Sequence, residues 1–222
     1  MCYSPEADLI AGCVIGAVGV TALRRVDDKR DLLLAGIPAV LATHQLIEAV
    51  AWWGLQGRVP PDAGEGAITL YLVIALGVVP ALIPYALFRS EPLQHRRRLM
   101  MPFVALGIAV AFVLLLGLAM NPYDAAIGGR YIAYEVVTPG GGLTALLYGV
   151  AVCTPLLLSS SRRIVGFGLI NLPVFVGLSL LLSVGLISLW CIWAAVSSVI
   201  IARHVHAKSP SQVAGTQASA PG

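Results

Sequence analysis

Seven stretches of this chain are apolar for long enough to cross, or nearly cross, a lipid bilayer, and little of the chain lies outside them. They fall near residues 7–23, 32–54, 68–88, 102–120, 143–158, 164–181 and 184–203. A hydrocarbon core about 30 Å thick takes about 20 apolar residues in helical form. Within it every backbone N–H and C=O needs a partner, which a helix supplies inside one segment. The expectation is an all-α, polytopic membrane protein with seven transmembrane helices. Only 11% of the residues are charged, against about 25% in a soluble domain, and the mean hydropathy is +0.88.

The basic residues test that count independently. Lys and Arg concentrate in short cytoplasmic loops. Arg24, Arg25, Lys29 and Arg30 fall between the first two runs, and Arg89, Arg96, Arg97 and Arg98 between the third and fourth. Arg162 and Arg163 precede the sixth run, and Arg203 and Lys208 follow the seventh. With seven alternating crossings all of these share one side, and only Arg58 and Arg130 take the other. The N-terminus is then outside, the C-terminus cytoplasmic, and the protein a multi-pass component of the cell membrane. Residues 1–206 form the membrane domain; 207–222, in the small polar tail "SPSQVAGTQASAPG", read as disordered.

Several classes fall away. The N-terminus lacks the basic region of a signal peptide, so the first run is expected to be a retained span. Cys2, Cys13, Cys153 and Cys191 are scattered without C-x-x-C spacing, weak grounds for a disulfide or metal. His95, His204 and His206 sit among basic residues at the cytoplasmic boundary, a face suited to anionic lipid head groups and not to nucleic acid. No Gly-rich phosphate loop, G-x-S-x-G or H-E-x-x-H motif is present, and no cofactor is called for.

What stands out is "THQLIEAVAWW" at 43–53. A charge at mid-membrane costs about 2.5–3.5 kcal/mol on insertion scales, so an acid there usually faces the interior and has a role. Glu48 reads as the one acid inside a span. His44 lies four residues before it and Trp52 four after, a spacing that stacks side chains on one helix face. Gln45 flanks that stripe, and Trp53 points elsewhere, as an interfacial anchor would. From the orientation, Glu48 lies six residues, about 9 Å, below the outer boundary. A pocket in the outer half is expected, floored by Glu48 and His44, with Gln45, Trp52, Trp53, Tyr71, Trp190 and Trp193 as the candidate substrate-binding walls.

Burial disfavours a carboxylate's charged form, so an acid in apolar surroundings can stay protonated and donate. Facing a lipophilic substrate it can protonate an alkene or epoxide, and aromatic faces can stabilise the resulting cation. A second reading makes His44 and Glu48 a proton or metal relay in a binding or transport protein. As metal ligands they are two where three or four are needed, and only Cys2, Glu6 or Cys191 could complete them, so no metal is assigned. A third reading is structural, with the polar pair joining helices. The absence of an inverted repeat counts against a transporter.

"MCYSPEADLIAG", "LRRVDDKRDLLLAGIP", "HQLIEAVAWWGL" and "LWCIWAAVSSVI" resemble a small actinobacterial membrane-protein family. Its members begin Met-Cys-aromatic-Ser and carry Gln-Leu-x-Glu in helix 2, and most have no assigned function. More distantly, the chain is similar to small integral-membrane terpene cyclases, which act on prenylated aromatic or indole substrates. That resemblance implies a lipophilic prenylated substrate, a prenyltransferase in the same pathway, and Glu48 as the helix-2 acid. The cyclases also use an acid near their last helix. Here that helix offers Trp190, Cys191 and Trp193, which leaves Asp124 or Glu135 of the outer loop as the expected substitute.

Overall fold

The structure is a computed structural model that describes residues 4–129, 131–181 and 197–201. Trp190, Trp193, Cys2, Cys191, Arg130 and the 207–222 tail lie outside the described residues. Those described form α1 (Pro5–Arg24), α2 (Leu32–Leu55), α3 (Pro61–Val73), a π-helical segment (Ile74–Val78), α4 (Val79–Ser90), α5 (Gln94–Met120), α6 (Gly142–Leu158) and α7 (Arg162–Leu181). Residues 197–201 are also helical. Four helices are long and apolar enough to cross a membrane: Pro5–Arg24, Leu32–Leu55, the continuous Pro61–Ser90 and Gln94–Met120. Gly142–Leu158 is a shorter apolar helix. On α5, Ile108, Phe112, Leu116 and Met120 are exposed at every fourth position, an outward apolar stripe suited to lipid.

The helices run alternately up and down. At one end, here the loop end, the short connections and the helix ends that flank them gather ten basic residues: Arg24, Arg25, Lys29, Arg30, Arg89, Arg96, Arg97, Arg98, Arg162 and Arg163. Arg58 lies at the other end, 3.8 Å from Glu6.

α1 opens on Ser4, whose Oγ accepts from the Ala7 N–H at 3.3 Å, with Pro5 in the first turn; both suit a helix start. Its buried residues are Pro5, Asp8, Gly12, Ile15, Gly19 and Ala22, alternately three and four apart, the seam of a helix packed along its length on a neighbour. That neighbour is α2. A Cβ on Gly19 would lie 2.9 Å from the Ala39 backbone nitrogen, and one on Gly12 3.2 Å from the Ala42 carbonyl oxygen. Ala35, Ala42 and Ala49 supply the small facing residues.

α3 and α4 are one rod interrupted by the π-helical turn, and Pro80 accounts for it. The Val79 N–H bonds back to the Ile74 carbonyl, five residues away. The next carbonyl, Ala75, would need an N–H from residue 80, and proline has none. The Tyr148 hydroxyl of α6 donates to that carbonyl at 3.0 Å. At the other end of the rod, α3 crosses α2 where Gly64 meets Gly54; a Cβ on Gly64 would lie 2.7 Å from the Gly54 Cα.

Three elements differ from expectation. The third span begins at Pro61, seven residues before 68, and the fourth at Gln94, eight before 102. Arg96, Arg97 and Arg98 are therefore helical and not loop. Arg and Gln are good helix formers, and Arg96 donates to the carbonyls of Leu158 (3.1 Å) and Ser159 (2.9 Å) at the end of α6. The described residues are mostly helical, as expected, but the 121–142 connection adds an antiparallel hairpin of β1 (Tyr123–Ile127) and β2 (Ile132–Val136), with Asp124 opposite Glu135 and Ala125 opposite Tyr134. Alternation sends Ile132 and Tyr134 inward, the period-two pattern of a half-buried strand.

Candidate functional site

α2 is buried on three sides, and its sequence divides accordingly. Ala35, Ala42 and Ala49 meet α1, while His44 and Ala51 turn toward α3 and Ile37 packs with Leu87 of α4, Leu156 of α6 and Phe167 of α7. Between these faces runs Leu34, Pro38, Leu41, Gln45, Glu48 and Trp52, every member buried. Glu48 is 0% exposed, Gln45 1% and Trp52 3%. Trp53 is half-buried and outside this stripe.

His44 is held by α3. Its Nε2 lies 3.2 Å from the Tyr71 backbone carbonyl. A carbonyl only accepts, so Nε2 carries the proton and Nδ1 is the nitrogen that can face another group. The imidazole also stacks on the Tyr71 ring, with centroids 3.9 Å apart. Tyr71 stacks in turn on Tyr134 of β2 at 4.8 Å. This three-ring column ties the hairpin to α2 through α3. The neighbouring Thr69 and Tyr123 hydroxyls lie 2.5 Å apart and tie β1 to the same rod. Trp52, Tyr71, Ile132 and Tyr134 pack into one cluster. Trp52 and Tyr71, expected to wall an outer pocket, thus pack into one cluster with the hairpin.

A second acid joins Glu48. Asp8 is 0% exposed, which corrects the expectation of a single acid within the spans. Gly19 packs on Pro38 and Ala39, and Gly12 on Ala42 and Leu46. The helices are antiparallel, so one turn before Gly12, at 1.5 Å per residue, Asp8 comes level with about residue 49 of α2. Asp8 and Glu48 both have interaction partners. The signal for Asp8 was its place on the seam of α1; its nearness to the span's end made it look interfacial.

The model of a family of unknown function, DUF6629, matches residues 1–216. The chain belongs to this family. No curated protein and no solved structure matches it. In this DUF6629 protein, then, the residues themselves must carry the functional reading.

Asp124 and Glu135, the expected substitutes for a second acid, are exposed and face each other across the hairpin. They alternate with Tyr134 and Ile132 and so lie on the face turned away from the ring column. Trp190 and Trp193 lie outside the described residues. No group of three potential metal ligands comes together among the described residues. A cavity of about 60 Å³ lies toward the loop end, lined by Leu34, Ile37, Leu41, Phe167, Asn171 and Ser197 among others. This is the opposite side of Gln45 from the outer pocket expected. Asn171 bonds across helices, donating to the Cys153 sulfur at 3.3 Å.

Two members of the α2 stripe are unusual. Both amide atoms of Gln45 and the indole Nε1 of Trp52 are buried without a hydrogen-bond partner among the described residues. Natural proteins leave few such groups, and each calls for an explanation.

Proposed function

We propose that this protein is an integral membrane enzyme in which the Glu48 carboxyl acts as an acid toward a lipophilic prenylated substrate. The observation that carries the reading is Glu48 itself: a carboxyl with no solvent exposure, two turns from the end of a helix long enough to span a bilayer, between a histidine and an unpartnered amide. The proton passes from Glu48 to an alkene carbon or an epoxide oxygen. The cation formed is attacked by an internal alkene, which closes the ring, and the final cation returns a proton to the carboxylate. The balance needs no oxidant or cofactor. Trp52, with Trp53, Trp190 and Trp193 as further candidates, supplies a face that attracts the cation; Tyr71, stacked between His44 and Tyr134, backs the site, and His44 and Gln45 orient the acid. The likeness to integral-membrane terpene cyclases supports the same reaction class. For a second acid, Asp8 is better placed by burial than Asp124 or Glu135.

The same proposal sets the N-terminus outside and the C-terminus in the cytoplasm of an actinobacterial cell, the loop end facing inward, with the substrate supplied by a prenyltransferase. Membranes bearing the protein should convert a prenylated epoxide to a cyclic product, and Glu48→Gln should slow this by about 100-fold or more. Conversion by the variant at the full rate overturns the assignment. One observation favours a proton relay as a second reading: Asp8 and Glu48 lie at about one depth on neighbouring helices, with His44 beside them. Proton flux into vesicles that falls in Asp8→Asn would support it, and flux unchanged by that variant and by His44→Ala would sink it.

A further inference from the structure

We infer that Gln45 and Trp52 form a recognition site for a neutral oxygen-bearing head, a hydroxyl or carbonyl, on an otherwise apolar molecule. The inference rests on Glu48 facing the substrate, and it assigns what the two neighbours on the stripe do.

The groups left over define the ligand. Gln45 offers two amide hydrogens and a carbonyl oxygen, and Trp52 one indole N–H. All are buried without a partner among the described residues. Leaving such a group unsatisfied costs about 1–3 kcal/mol, and a carboxylate or diphosphate would add the cost of burying its charge beside Glu48 and Asp8. A hydroxyl avoids that cost. Its oxygen accepts from the Gln45 amide and its hydrogen goes to the Gln45 carbonyl, while the Trp52 indole is left for a second oxygen farther along the molecule. A ketone or ester carbonyl uses the donors alone.

The stripe also orders the ligand. Gln45 and Trp52 are seven residues apart, about 10.5 Å along the axis, and Glu48 lies between them. On the far side of Gln45 the next stripe residue is Leu41, which lines the apolar cavity. The head lies at Gln45 and Glu48, Trp52 closes it off from the hairpin side, and the apolar body extends toward Leu41. The acid is thereby held against the end of the molecule that carries the oxygen.

The test uses full-length protein in detergent, with farnesol as the probe and farnesene, which lacks the hydroxyl, as its control. Farnesol should raise the melting temperature in a concentration-dependent way, with farnesene at least about tenfold weaker. Gln45→Leu should weaken farnesol binding by about tenfold and leave farnesene unchanged; Trp52→Phe, which keeps the ring and loses the N–H, should weaken it by less. Gln45→Leu should also melt no lower than wild type without ligand, because it removes an unsatisfied amide. A lower melting temperature would mean that Gln45 serves the fold through a bound water, and would overturn the inference. So would equal binding of farnesol and farnesene, or wild-type binding by both variants. Failure of the acid chemistry gives a different pattern: Glu48→Gln binds farnesol and converts prenylated epoxides like wild type, while the Gln45 effects remain.

Discussion

The two ends of this bundle treat buried polar groups in opposite ways. At the loop end the partners are all in place. Ser90 donates to the Asp31 carboxylate. Glu91, 2% exposed, accepts from the Ser160 N–H at 2.8 Å, the Leu93 N–H at 3.1 Å and the Ser159 hydroxyl at 3.4 Å. Arg96 closes the end of α6. Three interhelical connections are thereby joined through side chains that ask for nothing further. On the α2 stripe toward the hairpin end, an amide and an indole N–H are equally buried and unpartnered among the described residues. A filled network holds a fold together, whereas an unfilled one is tolerated where something else completes it. Burial alone does not separate a structural acid such as Glu91 from Glu48, the acid proposed to react; the state of the neighbours does.

Substitutions can break or sharpen that contrast. The largest effect should come from Glu48→Gln, which keeps shape and removes the acid; product formation should drop by about 100-fold or more, with the melting temperature little changed. Next is Glu91→Leu, which strands three donors and should cost about 2–3 kcal/mol of stability, read from denaturant unfolding in detergent, with activity per folded molecule intact. Tyr148→Phe should cost about 1 kcal/mol, because the Ala75 carbonyl has no backbone donor to replace the hydroxyl. The smallest change, and the one of opposite sign, belongs to Gln45→Leu, which should be neutral or stabilising by up to about 1 kcal/mol. If Glu91→Leu and Gln45→Leu shift stability alike, the contrast between the two ends fails.

Much of this arrangement was legible in the sequence where hydrophobicity and turns agree. The apolar runs at 32–54 and 143–158 are helices, Leu32–Leu55 and Gly142–Leu158, because basic or glycine-rich connections bound them sharply. The starts of the third and fourth rods were hidden for a physical reason. A helix does not have to stop where its side chains become polar, and "PDAGEG" and "QHRRR" continue the backbone bonding beyond the apolar run. The hairpin was hidden by its length: five-residue strands in a polar connection carry little periodic signal. His44, Gln45 and Glu48 could be found because polar residues in an apolar run are conspicuous. Their division among neighbours could not, since placing His44 against Tyr71 and Gln45 inward depends on which helix lies on which side. Asp8 was missed because hydropathy averages over a window and discounts its ends, while the seam of small residues that buries it is a property of two helices together.

The pairing of α1 with α2 has a consequence for how the protein is made. The two helices are consecutive and joined by the short 25–31 connection, so they leave the ribosome before α3 to α7. Entering the bilayer singly, each would carry a buried acid into hydrocarbon at about 2.5–3.5 kcal/mol. Entering together, with glycines seated on alanines, they present lipid with a surface from which both carboxyls are largely turned away. Biogenesis and chemistry then depend on the same seam. A bulky residue at Gly12 or Gly19 should lower the amount of protein that reaches the membrane, before any effect on a reaction could be measured.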